Sequence, residues 1–371
     1  MSQTLRFAEH ISRRTPPVNN RPFLSVPTWV GFVGKEPDKG GEEPVPLDEL
    51  CKLFSMPAHG AHRIEMLDIF CFMPHVDFNN PDTAKLLGEA IFDRYGFFVG
   101  TLVAPTWAGT NGGSAMTIEG RVARAKQIKK TAEIGKWLRE QGIRPAGCNL
   151  VRTDTGESPE NFMTGDTKAN AEFIAETFRM EAEICADLGE RLTVEGEPCQ
   201  GGMQTVQLCA DIMRQAGSKH CTFEADLTHI NTMMMAPNGP EGHRLLPEGT
   251  SPDNYKPAEL LAHHKWAADQ LGAHTGDLHI GQSDFALLAG GSHLKTGHHC
   301  TATDPKGVMD LLNIAGFWML DANGQPNRKF EHILWDGCMF LNSVIRSPIT
   351  WQHILMLMVA IREYYGWKVE D

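Results

Sequence analysis

Hydrophobic runs short enough for buried strands alternate along the chain with amphipathic stretches long enough for helices. The pattern repeats eight times, and each strand-like run precedes a stretch with helical periodicity. Such alternation is typical of parallel βαβ units. We predict strands within residues 22–34, 62–72, 97–105, 143–151, 191–198, 221–230, 274–284 and 329–337.

Eight successive units favour a closed (β/α)8 TIM barrel over an open doubly wound sheet. The first predicted strand is not followed by the GxGxxG pattern of a dinucleotide-binding sheet, so we expect no nucleotide cofactor. The predicted division is an N-terminal arm over residues 1–20 and a single catalytic barrel over residues 21–371.

Several helix boundaries can be read from capping residues. Thr117 to Gln141 and Thr167 to Leu188 are predicted helices, and Asp166 is the expected N-cap of the second. Ser347 and Pro348 provide a cap and a first helical residue for the closing helix.

The longest irregular segments all follow a predicted strand and precede a predicted helix. In a (β/α)8 barrel such loops build the C-terminal face, where active sites lie. We therefore expect enlarged loops over one mouth of the barrel. These segments are approximately residues 34–46, 105–116, 151–166, 231–256 and 285–304.

Composition narrows the class of protein and of partner. A net charge of −12 argues against nucleic acid, which is bound through clustered Lys and Arg. Nine cysteines without a CxxC pair are typical of reduced thiols. We find no signal peptide at the N-terminus and no apolar run of membrane-spanning length, so we expect a cytoplasmic protein without a membrane partner. Assembly into a homo-oligomer is left open.

Four successive predicted strands end in residues suited to a divalent cation: Glu195, Asp226, His279 and Asp336. Neighbouring strand ends of a barrel lie side by side, so the four side chains are expected to converge. Three carboxylates and one imidazole favour Mn²⁺, with Mg²⁺, Co²⁺ or Zn²⁺ as alternatives.

Each of these residues also has an ordinary structural role open to it, and their recurrence at equivalent strand ends is what favours a metal site. The structural alternatives are pairing of Glu195 or Glu197 with Arg191, capping by Asp226, a core hydrogen bond of His279 and a turn at Asp336.

The motifs VEGEP, DLTH, LHIGQSD and ILWDG at these strand ends resemble those of the xylose-isomerase-like TIM-barrel superfamily of sugar isomerases and epimerases. The resemblance implies that Glu195, Asp226, His279 and Asp336 hold one metal ion and that His229 faces the substrate. Glu197 is the rival of Glu195 as a ligand.

The implied activity is a divalent-metal-dependent sugar isomerase or epimerase of carbohydrate metabolism. Such an enzyme removes a proton α to the carbonyl of a sugar or keto-sugar and forms an enediolate. In epimerases of this type the first and last carboxylates, here Glu195 and Asp336, act as acid and base on opposite faces of the substrate.

Two features depart from the family pattern. The last ligand is usually Glu, and Asp336 is one methylene shorter. The loop SDFALLAGGSHLKTGHHC after strand seven replaces a short segment with an Arg, and we predict that its His298 serves in catalysis and its His293 in substrate binding. Surface histidines on a mobile loop are the alternative interpretation.

These departures motivate a lyase or hydratase that cleaves a 3-keto-glycoside by β-elimination. A third class, a metal phosphodiesterase resembling the apurinic endonucleases of the superfamily, is disfavoured by the net charge of −12.

The pocket is predicted to suit a substrate larger than a free pentose. Trp107 and Trp335 lie near strand ends and are predicted to contact the sugar together with His229 and Glu197, and Trp29 is a further candidate. Residues 233–235, all Met, are predicted to form an apolar wall or an oligomer contact.

Overall fold

The computed structural model describes residues 22–145, 147–291, 295–321, 323–325 and 330–365, so the predicted arm over residues 1–20 lies outside the described residues. Eight parallel strands form a closed barrel in which each strand pairs with its neighbours in the chain and the last pairs with the first. The predicted (β/α)8 barrel is confirmed. Its strands are β1 (Phe23–Pro27), β2 (Met66–Phe70), β3 (Phe98–Val103), β4 (Leu150–Thr153), β5 (Arg191–Glu195), β6 (Cys221–Asp226), β7 (Thr275–Ile280) and β8 (His332–Trp335).

Helices surround the strands, and the main hydrophobic core fills the space between the two layers. The described α-helices are α1 (Leu47–Ser55), α2 (Thr83–Leu87), α3 (Ile118–Glu140), α4 (Pro159–Phe162), α5 (Thr167–Asp187), α6 (Val206–Ala216), α7 (Leu227–Met233), α8 (Pro257–Leu271), α9 (Leu311–Met319), α10 (Asn342–Ile345) and α11 (Pro348–Tyr364). Asp166 caps α5 through hydrogen bonds from Lys168 N and Ala169 N, as predicted. None of the described helices combines the length and apolar character that a membrane crossing requires.

The inside of the barrel is polar. Thr101 of β3 donates a hydrogen bond across the barrel to Asp277 of β7 at 2.8 Å, and both side chains are fully buried. Residues two apart on a strand share a face, so Asp277 and His279 both lie inside the barrel, as do Glu224 and Asp226 on the adjacent β6. The ionisable side chains of these two neighbouring strands therefore make the interior of the barrel polar.

Two strands differ from their predicted bounds, with consequences for the site. The fourth strand begins at Leu150, after the Pro145 break, and includes Arg152, which the sequence pattern assigned to a loop. The sixth ends at Asp226, because the Asp226 carboxylate accepts from Thr228 N and His229 N and starts α7. His229 therefore lies on a helix and not at a strand end.

The loop after β7 is folded where the structure describes it. Leu287–Leu288 and Thr296–Gly297 pair as a short antiparallel hairpin, and Cys300 N donates to Gln282 O at 2.7 Å. The predicted substrate-binding residue His293 lies outside the described residues. The segment returns to the barrel mouth and brings residues 296–300 back to the strand ends.

Candidate active site

The four predicted ligands meet at the C-terminal end of the barrel. Their donor atoms lie within 4.8 Å of one another, and all four side chains are buried. Asp226 and His279 are register partners on adjacent strands, and Asp336 follows β8 directly, with its N–H donating to Ile280 O. Consecutive members of this set are 31 to 57 residues apart in the sequence, and the pairing of neighbouring strands brings them together.

Asp226 divides its two oxygens between structure and site. Oδ1 caps α7, and Oδ2 faces His299 Nε2 at 3.2 Å and His279 Nδ1 at 3.9 Å. Burial opposes its ionisation, but His229 and His299 hold the pKa of the carboxyl well below its usual value. The capping role and the ligand role, which looked like alternatives in the sequence, belong to different oxygens of the same side chain.

The Asp336 carboxylate is held in place by hydrogen bonds from Cys338 and Trp29. Its Oδ1 accepts from Cys338 N at 2.7 Å, and Trp29 Nε1 donates to both oxygens, at 3.2 Å to Oδ1 and 3.3 Å to Oδ2. Oδ2 also lies 3.7 Å from His279 Nδ1. The Trp29 ring also stacks on the His279 imidazole at 5.9 Å between centroids. Trp29 therefore fixes the orientation of two of the four predicted ligands.

Arg152 is a site residue that sequence reasoning missed. Its guanidinium forms an ion pair with Glu195 and lies 3.4 Å from Glu224 Oε1 and 3.7 Å from Glu197 Oε1. The side chain is only 8% exposed, so this cation belongs to the site and not to the solvent. The sequence feature that could have identified Arg152 is its place at the end of strand four, because the ends of the later strands carry the candidate ligands.

Glu224 is the second residue that was missed. It precedes Asp226 by two positions on β6, and its Oε1 lies 3.2 Å from His279 Nδ1. Burial raises the pKa of this carboxyl to about 8, against the opposing effects of Arg152 and His279. The alternation of Glu224 and Asp226 on one strand could have identified it.

His229 and Glu197 lie beside Glu195. His229 Nε2 is 3.6 Å from Glu195 Oε1 and 3.8 Å from Glu197 Oε2. Thr296, from the hairpin, donates to Glu197 at 2.8 Å and lies 3.2 Å from His229 Nδ1. Burial lowers the pKa of His229 against the attraction of Asp226. An imidazole next to two acids is suited to hydrogen bonding with a sugar hydroxyl.

In the histidine-rich loop, His299 and not His298 reaches the predicted ligands. His299 is buried against Asp226 and packs edge-on against the His229 ring at 4.8 Å. His298 pairs with Asp284 at 3.0 Å, is 30% exposed and is absent from the cavity lining. Neither ring lines the cavity, and the two rings have different partners because successive residues of the extended segment point to opposite sides. The catalytic role of His298 stays a prediction.

A cavity of about 590 Å³ opens above the strand ends. Glu195, His229 and Asp336 line its floor, and Glu197 and Trp107 line it as well. Trp335 is fully buried outside the lining, because alternation on β8 directs its neighbour Asp336 inward. Met233 and Met234 are buried in the main core and form no cavity wall, which corrects that expectation.

The donor set fits a hard divalent cation. Three carboxylates and one imidazole at this spacing form an oxygen-rich set of the kind that Mn²⁺ and Mg²⁺ prefer. Within the described part of the chain, neither nitrogen of His279 makes a hydrogen bond, although Nδ1 lies 3.2 Å from Glu224 Oε1, and Glu195 is contacted by Arg152 and His229 without a hydrogen bond to either of its oxygens. Buried polar atoms are normally satisfied, so this donor set fits a bound cation.

No protein-family model and no curated protein matches this sequence. Among solved structures, L-ribulose 3-epimerase has 13% identity and a TM-score of 0.57 and covers 93% of this chain and 95% of its own. A xylose isomerase-like TIM barrel protein from Mycobacterium smegmatis in complex with magnesium has 10% identity, TM-score 0.55 and coverage of 94% and 98%. The 3-keto-D-glucoside 4-epimerase from E. coli has 13% identity, TM-score 0.54 and coverage of 92% and 99%. The chain therefore has the xylose isomerase-like TIM-barrel fold.

Proposed function

We propose that this chain is a divalent-metal-dependent sugar isomerase or epimerase that removes a proton α to the carbonyl of a sugar or keto-sugar. The observation that carries the proposal is the convergence of four buried ligand residues at the strand ends, two of which, Glu195 and Asp336, line an open cavity. The epimerases among the structures of the same fold support the choice of a carbohydrate substrate.

Glu195, Asp226, His279 and Asp336 would hold the ion, with Mn²⁺ or Mg²⁺ preferred by their chemistry. When bound, it supplies Lewis-acid stabilisation of the negative charge that develops on a carbonyl oxygen. Arg152 forms an ion pair with Glu195 and would add a fixed positive charge to the site. A fixed positive charge near a developing oxyanion favours loss of the proton α to the carbonyl.

Glu195 and Asp336 are the proposed proton-transfer pair, since both line the cavity floor. Asp336 Oδ1 is fixed by Trp29 and Cys338, which restricts the carboxylate to one orientation. Glu195 is held in place by an ion pair with Arg152 and by the nearby His229 imidazole. Inversion of the carbon requires that one carboxylate removes a proton and that the other group, in its acid form, delivers a different proton to the opposite face. Isomerisation requires instead that the former carbonyl carbon receives a proton while the hydroxyl proton moves to the former carbonyl oxygen.

His229 and Glu197 are proposed to orient the sugar hydroxyls. Thr296 lies at His229 Nδ1 and also donates to Glu197, so the hairpin fixes both side chains. Both side chains are buried and line the cavity, so they would contact a sugar that enters it.

Hydrogen exchange into a keto-sugar tests the proposal. The Mn²⁺-loaded protein is incubated in D₂O with free ketoses and with 3-keto-glucosides, and NMR records deuterium at the carbon next to the carbonyl. We expect incorporation that stops after chelation and returns with Mn²⁺. Absence of exchange with every keto-sugar, in protein shown to contain metal, would contradict it.

A lyase that cleaves a 3-keto-glycoside is the second candidate. The fixed, shorter Asp336 and a cavity of about 590 Å³ favour it, because elimination needs one base and room for a leaving group. Proton removal is shared with the first candidate, so mass detection of a released aglycone separates the two. Exchange without release assigns the isomerase or epimerase.

A further inference from the structure

A second hydrophobic cluster lies at the mouth of the barrel and is separate from the main core. Its members line or flank the cavity, whereas the main core fills the space between strands and helices. The cluster consists of Trp29, Phe32, Val103, Leu334 and Cys338, with Val33, Phe70, Phe72 and Met339 packed against it. An apolar cluster that the fold does not need for its core requires its own explanation.

Trp29 connects this cluster to the acidic floor. Its indole N–H donates to Asp336, and its ring lies edge-on to Phe70 at 5.9 Å. Trp107 continues the surface at 4.9 Å from Phe70 and 5.8 Å from Phe72. Trp29, which is hydrogen-bonded to Asp336 on the cavity floor, contacts the Phe70 ring, and Phe70 in turn contacts the Trp107 ring.

We call Phe32, Phe70, Phe72 and Trp107 the aromatic wall. All four line the cavity, and all but Phe32 are only half-buried. Apolar surface left in contact with water costs about 25 cal/mol per Å², so a fold does not gain stability by presenting these rings to a cavity. Their edge-to-face packing holds them rigidly, as in a preformed binding surface.

Other parts of the cavity lining are polar. Asp154, Glu157, Ser158 and Gln200, from the loops after β4 and β5, line it together with Arg152. A volume of about 590 Å³ lies within the range of roughly 300–1,000 Å³ typical of sites for drug-sized ligands. A single sugar ring over the floor would leave the aromatic wall uncovered.

We infer that the aromatic wall is a subsite for an aryl aglycone, so that the substrate is an aryl glycoside whose sugar ring lies over the acidic floor. The inference rests on the proposed function for the identity of the sugar ring. A planar aryl group matches the wall, since offset and edge-to-face contacts with Phe and Trp rings stabilise it. The polar part of the cavity lining remains for the sugar hydroxyls.

Binding of stable analogues tests the subsite without turnover. Calorimetric titration of the Mn²⁺-loaded protein compares methyl glucoside, phenyl glucoside of the same anomeric configuration, and cellobiose. We expect phenyl glucoside to bind about tenfold more tightly than methyl glucoside. Equal affinity of the two, no detectable binding of phenyl glucoside, or tighter binding of cellobiose would overturn the inference.

Two variants locate the preference on the wall. In Trp107→Ala and in Phe72→Ala, the ratio of the two glucoside affinities should fall to about threefold or less. Tyr364→Ala is the matched control, because this aromatic residue is 65% exposed on α11, and it should keep the full ratio. A ratio unchanged in both wall variants would overturn the assignment, and the wild-type comparison decides the matter if a variant fails to fold.

Failure of this inference differs from failure of the proposed function. A phenyl preference without deuterium exchange in any keto-sugar leaves an aryl glycoside site whose chemistry is different. Exchange in free ketoses without a phenyl preference leaves the isomerase and removes the aglycone subsite.

Discussion

The barrel contains two buried layers of similar composition. In both, carboxylates and an imidazole place donor atoms within 4.8 Å of one another, and every side chain is at most 2% exposed. We call them the upper and lower layers. The upper layer is Glu195, Asp226, His279 and Asp336, and the lower layer is Asp68, Asp277 and His332.

The layers differ in whether their polar atoms are satisfied. In the lower layer Asp68 accepts from Ser25 at 2.6 Å and pairs with His332 at 3.0 Å, and Asp277 accepts from Thr101 at 2.8 Å. In the upper layer the described residues leave both nitrogens of His279 without a hydrogen bond. Composition alone does not distinguish a structural cluster from a ligand site, whereas hydrogen-bond completeness does.

Removal of one carboxylate from each layer should have opposite consequences. Asp226→Asn should lose the bound metal and lower turnover about 1,000-fold, because it removes a ligand charge. Asp68→Asn should retain the metal and instead lose about 3 kcal/mol of unfolding free energy, since it removes the nearer of the two carboxylates that pair with buried His332. Elemental analysis and urea denaturation measure the two effects. Metal loss in Asp68→Asn would erase the proposed distinction between the layers.

Arg152 sharpens the comparison, because its buried guanidinium forms an ion pair with Glu195 of the upper layer. Arg152→Met should destabilise the metal-free protein by about 3 kcal/mol and increase the stabilisation that added Mn²⁺ provides. Arg362→Met, which breaks the buried pair with Glu65, is the control. It should destabilise the protein without changing the metal increment. Thermal melts with and without Mn²⁺ would show equal increments for both variants if Arg152 has no relation to the metal site.

The two neighbouring histidines of the hairpin provide a third test. His299→Ala should weaken metal affinity about 30-fold, because His299 orients Asp226 Oδ2. His298→Ala should change it less than about twofold, since that ring pairs with Asp284 away from the cavity. Competition with a metal indicator gives both constants. A larger effect at His298 would support the role that the sequence predicted for it.

The smallest expected effect is a pH dependence that belongs to the lower layer. Burial opposes both charges, but Asp68 and Asp277 raise the pKa of His332, and His332 lowers the pKa of Asp68. The raised His332 pKa stabilises the fold below its unfolded value of about 6.5 and is lost as pH rises through the folded pKa. The lowered Asp68 pKa stabilises the fold above about 3.9 and is lost as pH falls.

Both contributions are therefore present between about pH 4 and pH 6.5. The difference in unfolding free energy between the wild type and His332→Asn should be largest in this window and decline at higher pH. Urea denaturation from pH 4 to pH 9 measures it. A difference that grows toward pH 9 would show that the pair does not carry opposite charges.

The fold and the upper layer could be predicted because both depend on short-range pattern. Short hydrophobic runs followed by amphipathic helical stretches imply a parallel barrel, and parallel strands bring their C-terminal ends together. Glu195, Asp226, His279 and Asp336 follow from that geometry. The placement of His229 could not be read in this way, since the Asp226 cap converts the end of the predicted strand into a helix.

Arg152, Glu224 and His299 escaped prediction for different physical reasons. The Pro145 break shifts β4 toward the C-terminus and moves Arg152 from a loop into the barrel. Glu224 lies in mid-strand, where an inward acid looks like a defect until His279 is found beside it. His299 reaches the site through a hairpin whose return path the loop sequence does not specify.

The sequence by itself determined the barrel, the enlarged loops of its C-terminal face and a row of ligand-type residues at four strand ends. Those features follow from hydrophobic periodicity, which acts over a few residues. Only the tertiary structure separated the unsatisfied upper layer from the satisfied lower one and revealed the aromatic wall. Hydrogen bonds such as Thr101 to Asp277 and ring contacts such as Phe70 to Trp107 join residues that are far apart in the chain. Their partners are set by barrel closure and not by local pattern.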